Sequence, residues 1–97
     1  GHVDQVGYVE KLQEEEGSWK LYIKYDASLS NITVHKGSIT INGTSLTVVD
    51  SGVDFFSVCI IPYTYNNTTF KNLREGSLVN LEFDIIGKYL SRLYELN

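Results

Sequence analysis

A hairpin pattern in the middle of the chain most constrains what this sequence can fold into. Ile39 and Ile41 alternate with polar residues before Asn42-Gly43, and Leu46 and Val48 alternate with polar residues after it. Asn-Gly favours a two-residue turn between antiparallel strands, because both residues tolerate a positive φ. The pattern therefore predicts a β-hairpin at the centre of the fold.

The far side of this turn carries more hydroxyl groups than a turn requires. Thr44, Ser45 and Thr47 place three hydroxyls within four residues. A hydroxyl both donates and accepts hydrogen bonds. The cluster therefore indicates a surface that holds a polar heterocycle.

Further short strands are predicted on both sides of the hairpin. Apolar runs, alternating or continuous, cover Val3 to Leu12, Trp19 to Tyr25, Phe55 to Ile61 and Leu78 to Ile85. Together with the hairpin they make about six strands at regular spacing, which is typical of a small antiparallel barrel or sandwich. The predicted class is all-β.

Helical structure is expected only in short pieces. Asp26 can cap a segment that runs through Leu29 and Ile32. The polar stretch from Tyr63 to Thr69 predicts a loop or one helical turn, and Lys88 to Leu96 predicts a short amphipathic C-terminal helix.

Length and charge exclude several classes of function. The 97 residues suffice for one domain with one core. A net charge of -4 gives no electrostatic footprint for nucleic acid. No apolar run approaches the roughly 20 residues that a membrane helix needs. We expect a cytoplasmic protein that binds neither nucleic acid nor membrane.

Cysteine and histidine give no sign of metal or thiol chemistry. The single cysteine, Cys59, lies among Val58, Ile60 and Ile61, so we expect a small buried hydrophobic side chain there. No pair of residues has the spacing of a zinc site. Ser45, His2 and Asp4 could form a triad on paper, but no nucleophile-elbow motif supports one.

Several short motifs follow one another along the chain. They are Gly1-His2-Val3-Asp4, Lys36-Gly37-Ser38, Asn42-Gly43-Thr44-Ser45-Leu46-Thr47-Val48, Phe56-Ser57-Val58, Ile61-Pro62-Tyr63-Thr64, Thr68-Thr69, Gly76 with Val79-Asn80-Leu81-Glu82, and Gly87-Lys88-Tyr89. Their order and spacing resemble riboflavin synthase over nearly the whole chain, and the match is to the second of the two lumazine-binding barrels of that enzyme. The chain contains no Met and starts directly in strand-like sequence, so we expect it to be part of a larger protein.

The resemblance implies a fold and a reaction. It implies a six-stranded Greek-key barrel over residues 1–97, and a homotrimer as the full enzyme. The implied reaction is a transferase dismutation of two 6,7-dimethyl-8-ribityllumazine molecules to riboflavin and 5-amino-6-ribitylaminopyrimidinedione, without metal or redox cofactor. The active site of the family lies between the first barrel of one subunit and the second barrel of its neighbour. The isolated barrel is therefore expected to be inactive or weakly active, and to associate as a homodimer.

The resemblance also implies a set of site residues. It assigns His2 and Ser45 to positions near the reacting atoms. A histidine titrates near neutrality and can move the proton that the lumazine C7 methyl group loses. The residues that the resemblance assigns to ligand contact are Gly1, Val3, Lys36, Ser45, Leu46, Thr47, Ile61, Pro62, Tyr63, Thr64, Tyr65 and Asn66.

Three residues depart from the family pattern, and two functions other than that of a synthase stay open. Asn42 stands where the family often has Asp, and Tyr63 and Tyr65 replace the more usual residues around Thr64. These changes bear on ligand affinity. One alternative is a non-catalytic carrier of lumazine or flavin with the same fold, and the other is a structural barrel without a ligand.

Overall fold

Six strands close into an antiparallel barrel in the computed structural model, which describes residues 2–29, 31–84 and 93. The strands are β1 (Gln5–Glu15), β2 (Ser18–Lys24), β3 (Ser38–Ile41), β4 (Thr44–Ser51), β5 (Phe55–Ile60) and β6 (Leu78–Phe83). Their order around the barrel is β1-β2-β5-β4-β3-β6. Because β2 lies beside β5 and not beside β3, strands β2 to β5 form a Greek key. The predicted all-β barrel is confirmed.

Two tight turns set the register of neighbouring strands. Asn42 and Gly43 have φ values of 49° and 84°, and they join β3 to β4 as a two-residue turn. Glu16 and Gly17, with φ values of 49° and 85°, join β1 to β2 in the same way. Positive φ at both central residues is the geometry that matches the twist of a hairpin. The hairpin predicted at Asn42-Gly43 is confirmed.

The barrel interior is filled by the inward-facing residues of every strand and by Phe70 from the segment after β5. Closing a sheet on itself leaves one interior and one exterior, so alternate residues of each strand share the core. The buried hydrophobic residues are Val9, Leu21, Ile23, Tyr25, Ile39, Ile41, Val48, Phe56, Val58, Ile60, Phe70, Val79, Leu81 and Phe83.

The first strand differs from its predicted bounds, Val3 to Leu12. It runs from Gln5 to Glu15, and its inward residues include Gln5, Gly7 and Val9, so Val6 and Tyr8 point outward at 51% and 43% exposure. Gly7 permits this packing, because a Cβ there would lie 2.6 Å from the backbone oxygen of Lys24.

Cys59 is a second correction. The continuous apolar run of β5 suggested cover on both faces, yet Phe56, Val58 and Ile60 face the interior and Cys59 is exposed, in register with Lys20 on the outer surface. An apolar run does not reveal which of its residues point outward.

The helical predictions are met in part. Asp26 accepts a hydrogen bond from the Ser28 backbone N–H at 2.9 Å, but it caps only a 3₁₀ turn over Ala27–Leu29. The polar loop after β5 forms helix α1 (Pro62–Asn67) and a 3₁₀ turn (Thr69–Asn72). The predicted C-terminal helix lies outside the described residues except for Leu93. Within the described part of the chain, no helix has the length and apolar character for crossing a membrane.

Candidate functional site

A cleft of about 360 Å³ lies on the outer surface of the barrel, where the segment before β1 meets β3, β4 and β6. Its walls carry hydroxyl, carboxylate and imidazole groups beside two apolar residues. The lining residues are His2, Ser38, Ile39, Thr40, Ser45, Glu82, Phe83 and Asp84.

A row of polar side chains crosses three strands at this cleft. Thr40 of β3 lies opposite Ser45 of β4 and also opposite Glu82 of β6. Ile39 and Ile41, on either side of Thr40, are buried in the core. Because strand side chains alternate between faces, Thr40 points outward into the cleft. The row therefore presents two hydroxyls and a carboxylate side by side.

The N-terminal segment is tied to β6 by three hydrogen bonds. The Asp4 N–H donates to the Leu81 carbonyl at 2.8 Å, and the Asp4 carboxylate accepts from the Phe83 N–H at 2.7 Å. Glu82 accepts from the His2 backbone N–H at 2.8 Å. These contacts bring His2 to the same cleft as Ser45, although 43 positions separate the two residues in the chain.

The turn before Ser45 is also attached to β6. The Asn42 N–H donates to the Asn80 carbonyl at 2.9 Å, and the Asn42 side-chain oxygen accepts from the Asn80 N–H at 2.8 Å. An amide oxygen accepts this bond as a carboxylate would. The departure from Asp at this position therefore leaves an acceptor in place while it removes a charge near the cleft.

Among the described residues, the other predicted site residues before β1, before β3 and on β4 do not line the cleft. Thr47 is exposed and pairs with Ser38, one of the lining residues. Val3 is 52% exposed, and Leu46 packs its side chain on the core. Lys36 is exposed with a φ of 66°. Gly1 lies outside the described residues.

The predicted closing loop, Ile61 to Asn66, does not line this cleft; all six of its residues are described. Ile61 and Tyr63 are exposed at 57% and 75%, Pro62 and Asn66 are also exposed, and Thr64 is half-buried. Tyr65 stacks on Trp19 with ring centroids 4.5 Å apart. That contact anchors α1 to the barrel.

Four polar residues of the cleft were missed from the sequence: Ser38, Thr40, Glu82 and Asp84. Ser38, Thr40 and Glu82 alternate with buried residues of β3 or β6, so their outward direction was readable, and Asp84 directly follows the buried Phe83. Their proximity to His2 was not readable, because it depends on the pairing of β6 with β1 and β3.

Comparisons with known proteins identify the family of this chain. The family model described as the lumazine binding domain matches residues 1–84. A riboflavin synthase from Actinobacillus pleuropneumoniae is 42% identical over 95% of this chain and 43% of its own length, and one from Bacillus subtilis is 39% identical with the same coverage. The chain thus spans less than half the length of these relatives.

Solved structures of the protein LumP have a similar fold. The complex of LumP with flavin mononucleotide superposes with a TM-score of 0.78 at 30% identity, over 87% of this chain and 48% of LumP. The complex with 6,7-dimethyl-8-(1'-D-ribityl) lumazine gives a TM-score of 0.74 at 28% identity, over 84% of this chain and 46% of LumP. The match of the family model over residues 1–84, together with these relatives, shows that the chain belongs to the lumazine-binding domain family.

Proposed function

We propose that this chain is a lumazine-binding barrel of riboflavin synthase, the second of two in its parent protein. In the full enzyme it takes part in a transferase reaction in which two molecules of 6,7-dimethyl-8-ribityllumazine give riboflavin and 5-amino-6-ribitylaminopyrimidinedione. The observation that carries the proposal is that His2 and Ser45 line one cleft in a chain that the lumazine-binding family model matches. A cytoplasmic enzyme of biosynthesis is the setting that we expect.

The cleft supplies the groups that this chemistry needs. One lumazine loses a proton from its C7 methyl group, and the other accepts the four-carbon unit. The ring delocalises the resulting negative charge, so the protein has to orient two rings and stabilise that charge. We assign proton transfer to His2, and contact with the ring to the hydroxyl of Ser45. We also propose ligand contacts for Val3, Lys36, Leu46, Thr47 and residues 61–66, which lie outside the lining of the cleft.

One barrel offers one half of the proposed active site. The reaction needs two lumazines face to face, and the second ring is bound by a barrel of the neighbouring subunit in a homotrimer. We therefore expect the isolated chain to be inactive or weakly active. We also expect it to form homodimers through the surface that carries the cleft. A partner barrel should raise the rate, because it orients the second ring against the first.

A fluorescence titration tests the proposal. Riboflavin and 6,7-dimethyl-8-ribityllumazine should each bind one site per chain, and the flavin emission should be quenched. Absence of binding by both compounds at millimolar concentration would exclude a lumazine-binding function.

A non-catalytic carrier is the second candidate, because LumP structures with bound lumazine, riboflavin and flavin mononucleotide resemble this fold. Combination of the chain with the first barrel of a riboflavin synthase separates the two. A synthase barrel then forms riboflavin from the lumazine, whereas a carrier binds the lumazine unchanged.

A further inference from the structure

The carboxylate of Glu82 has no role in the chemistry proposed above. It lies on β6, lines the cleft, and accepts a hydrogen bond from the His2 backbone N–H at 2.8 Å. The two residues are 80 positions apart in the sequence. Closure of the barrel between β6 and β1 brings them together.

The contact lies where regular strand pairing ends. The β1–β6 ladder reaches Gln5 opposite Leu81, and the Asp4 N–H still donates to the Leu81 carbonyl. Beyond that point, backbone N–H groups donate to side-chain carboxylates and not to backbone carbonyls. The Asp4 carboxylate accepts from the Phe83 N–H, and the Glu82 carboxylate accepts from the His2 N–H. The segment that carries His2 is therefore held against β6 by two acidic side chains.

We propose that Glu82 is a positioning residue that holds the backbone of His2 at the cleft, so that His2 stays in the same lining as Ser45 and Thr40. The inference rests on the proposed function, since His2 is the residue assigned to proton transfer. A backbone fixed before the ligand arrives has less conformational freedom to lose when the ligand binds and reacts.

The role requires an acceptor oxygen and not a negative charge, and this distinction gives the test. Glu82→Gln removes the charge and keeps an acceptor oxygen in the same place, whereas Glu82→Met keeps the chain length and removes the acceptor. Glu75→Met is a matched control, because Glu75 is exposed in the turn at the other end of β6.

The first readout, amide hydrogen exchange of the His2 N–H measured by NMR on the full chain, needs no activity. We expect exchange roughly tenfold faster in Glu82→Met, because loss of this bond removes its share of the protection. Glu82→Gln and the control should exchange like the starting protein. Unchanged exchange in Glu82→Met would overturn the proposal. If Glu82→Met does not fold, the Gln variant decides, because faster exchange there would also overturn it.

The second readout is riboflavin formation by the chain combined with the first barrel of a riboflavin synthase. We expect Glu82→Met to lower kcat with little change in KM, and Glu82→Gln to retain most of the rate. A raised KM with unchanged kcat would make Glu82 a binding contact and overturn the positioning role. If the starting protein forms no riboflavin, the proposed function fails, and hydrogen exchange still decides whether Glu82 holds His2.

Discussion

Ser45 reaches the cleft because of the residues just before it. Asn42 and Gly43 adopt positive φ, so β4 begins at Thr44 and the next side chain points away from the core. Thr40 across the ladder and Glu82 beyond it then face the same space. A hydroxyl at this position can form a hydrogen bond directly with a ring carbonyl or ring nitrogen of a ligand.

Substitution of Ser45 should weaken ligand binding. We expect Ser45→Ala to raise the Kd for riboflavin roughly tenfold, because a polar group of the bound ligand loses its hydrogen bond. Thr69→Ala removes an exposed hydroxyl from the 3₁₀ turn after α1 and serves as the control. Fluorescence titration gives both dissociation constants. Equal affinity of the two variants would remove Ser45 from the binding site.

The negative charge of the cleft should make its affinity for flavin mononucleotide lower than its affinity for riboflavin. Glu82 and Asp84 are carboxylates, and none of the described residues that line the cleft is Lys or Arg. We expect flavin mononucleotide to bind about fivefold more weakly than riboflavin at low salt, because two charges a few ångströms apart in water repel by roughly 1 kcal/mol.

Added salt should reduce this difference, since it screens exposed charges. Asp84→Asn should reduce it as well, without a comparable change for riboflavin. Isothermal titration at two ionic strengths measures the affinity of each protein for each flavin. Equal binding of the two flavins at low salt would show that the phosphate lies away from these carboxylates.

Among the elements, β2, β4 and β5 share a polar cluster on the outer surface at a bulge in the β4–β5 pairing. Asp50 of β4 accepts a hydrogen bond from the buried Ser57 hydroxyl at 2.7 Å and pairs with the Lys20 ammonium at 3.0 Å. These two contacts, the Ser57 bond first, hold the pKa of Asp50 below its ordinary value. The hydrogen bond to Asp50 likewise raises the pKa of Lys20.

The cluster should make the stability of the barrel depend on pH. A folded-state pKa below the unfolded value of about 3.9 means that ionised Asp50 stabilises the folded state above that pH. This stabilisation disappears as the pH falls through the lower, folded-state pKa. We expect Asp50→Asn to unfold at lower urea concentration than the starting protein at pH 7, with the difference vanishing in acid. Glu75→Gln is the control. A difference that persists at low pH would indicate lost packing and not lost charge.

Strand positions were readable from the sequence, whereas strand faces were readable only where polar and apolar residues alternate. In β2, Lys20 and Lys24 alternate with Leu21 and Ile23, and the two apolar residues face the core as this alternation indicates. In β5 the apolar run hid the outward direction of Cys59. Periodicity cannot show which residues face inward in a segment whose residues are nearly all apolar.

At the scale of the whole molecule, the cleft is a product of barrel closure. The hydroxyl cluster after Asn42-Gly43 predicted a binding surface, and the family resemblance pointed to His2. Neither one indicated Glu82, whose contact with His2 spans 80 positions and forms only when β6 pairs with β1. Long-range pairing of this kind depends on topology, which local sequence patterns do not specify.

Turnover should depend on how the chains assemble. If two lumazines must meet between two barrels, any riboflavin formed by the isolated chain comes from pairs of chains. At chain concentrations well below the dissociation constant of the dimer, the rate should then rise with the square of the chain concentration. Addition of the first barrel of a riboflavin synthase in excess should make the rate higher and proportional to chain concentration, because each chain then has a partner.

In that mixed assembly, His2→Gln should lower kcat roughly a hundredfold, within the range that a positioned acid or base contributes, and leave the Kd for the lumazine nearly unchanged. Riboflavin absorbance measures the rate, and fluorescence titration of the same sample measures the affinity. Thr69→Ala should change neither quantity. A rate proportional to chain concentration without the added barrel would show that one barrel suffices for turnover. Equal losses of rate and affinity in His2→Gln would make His2 a binding residue, because a group that transfers a proton acts mainly on the transition state.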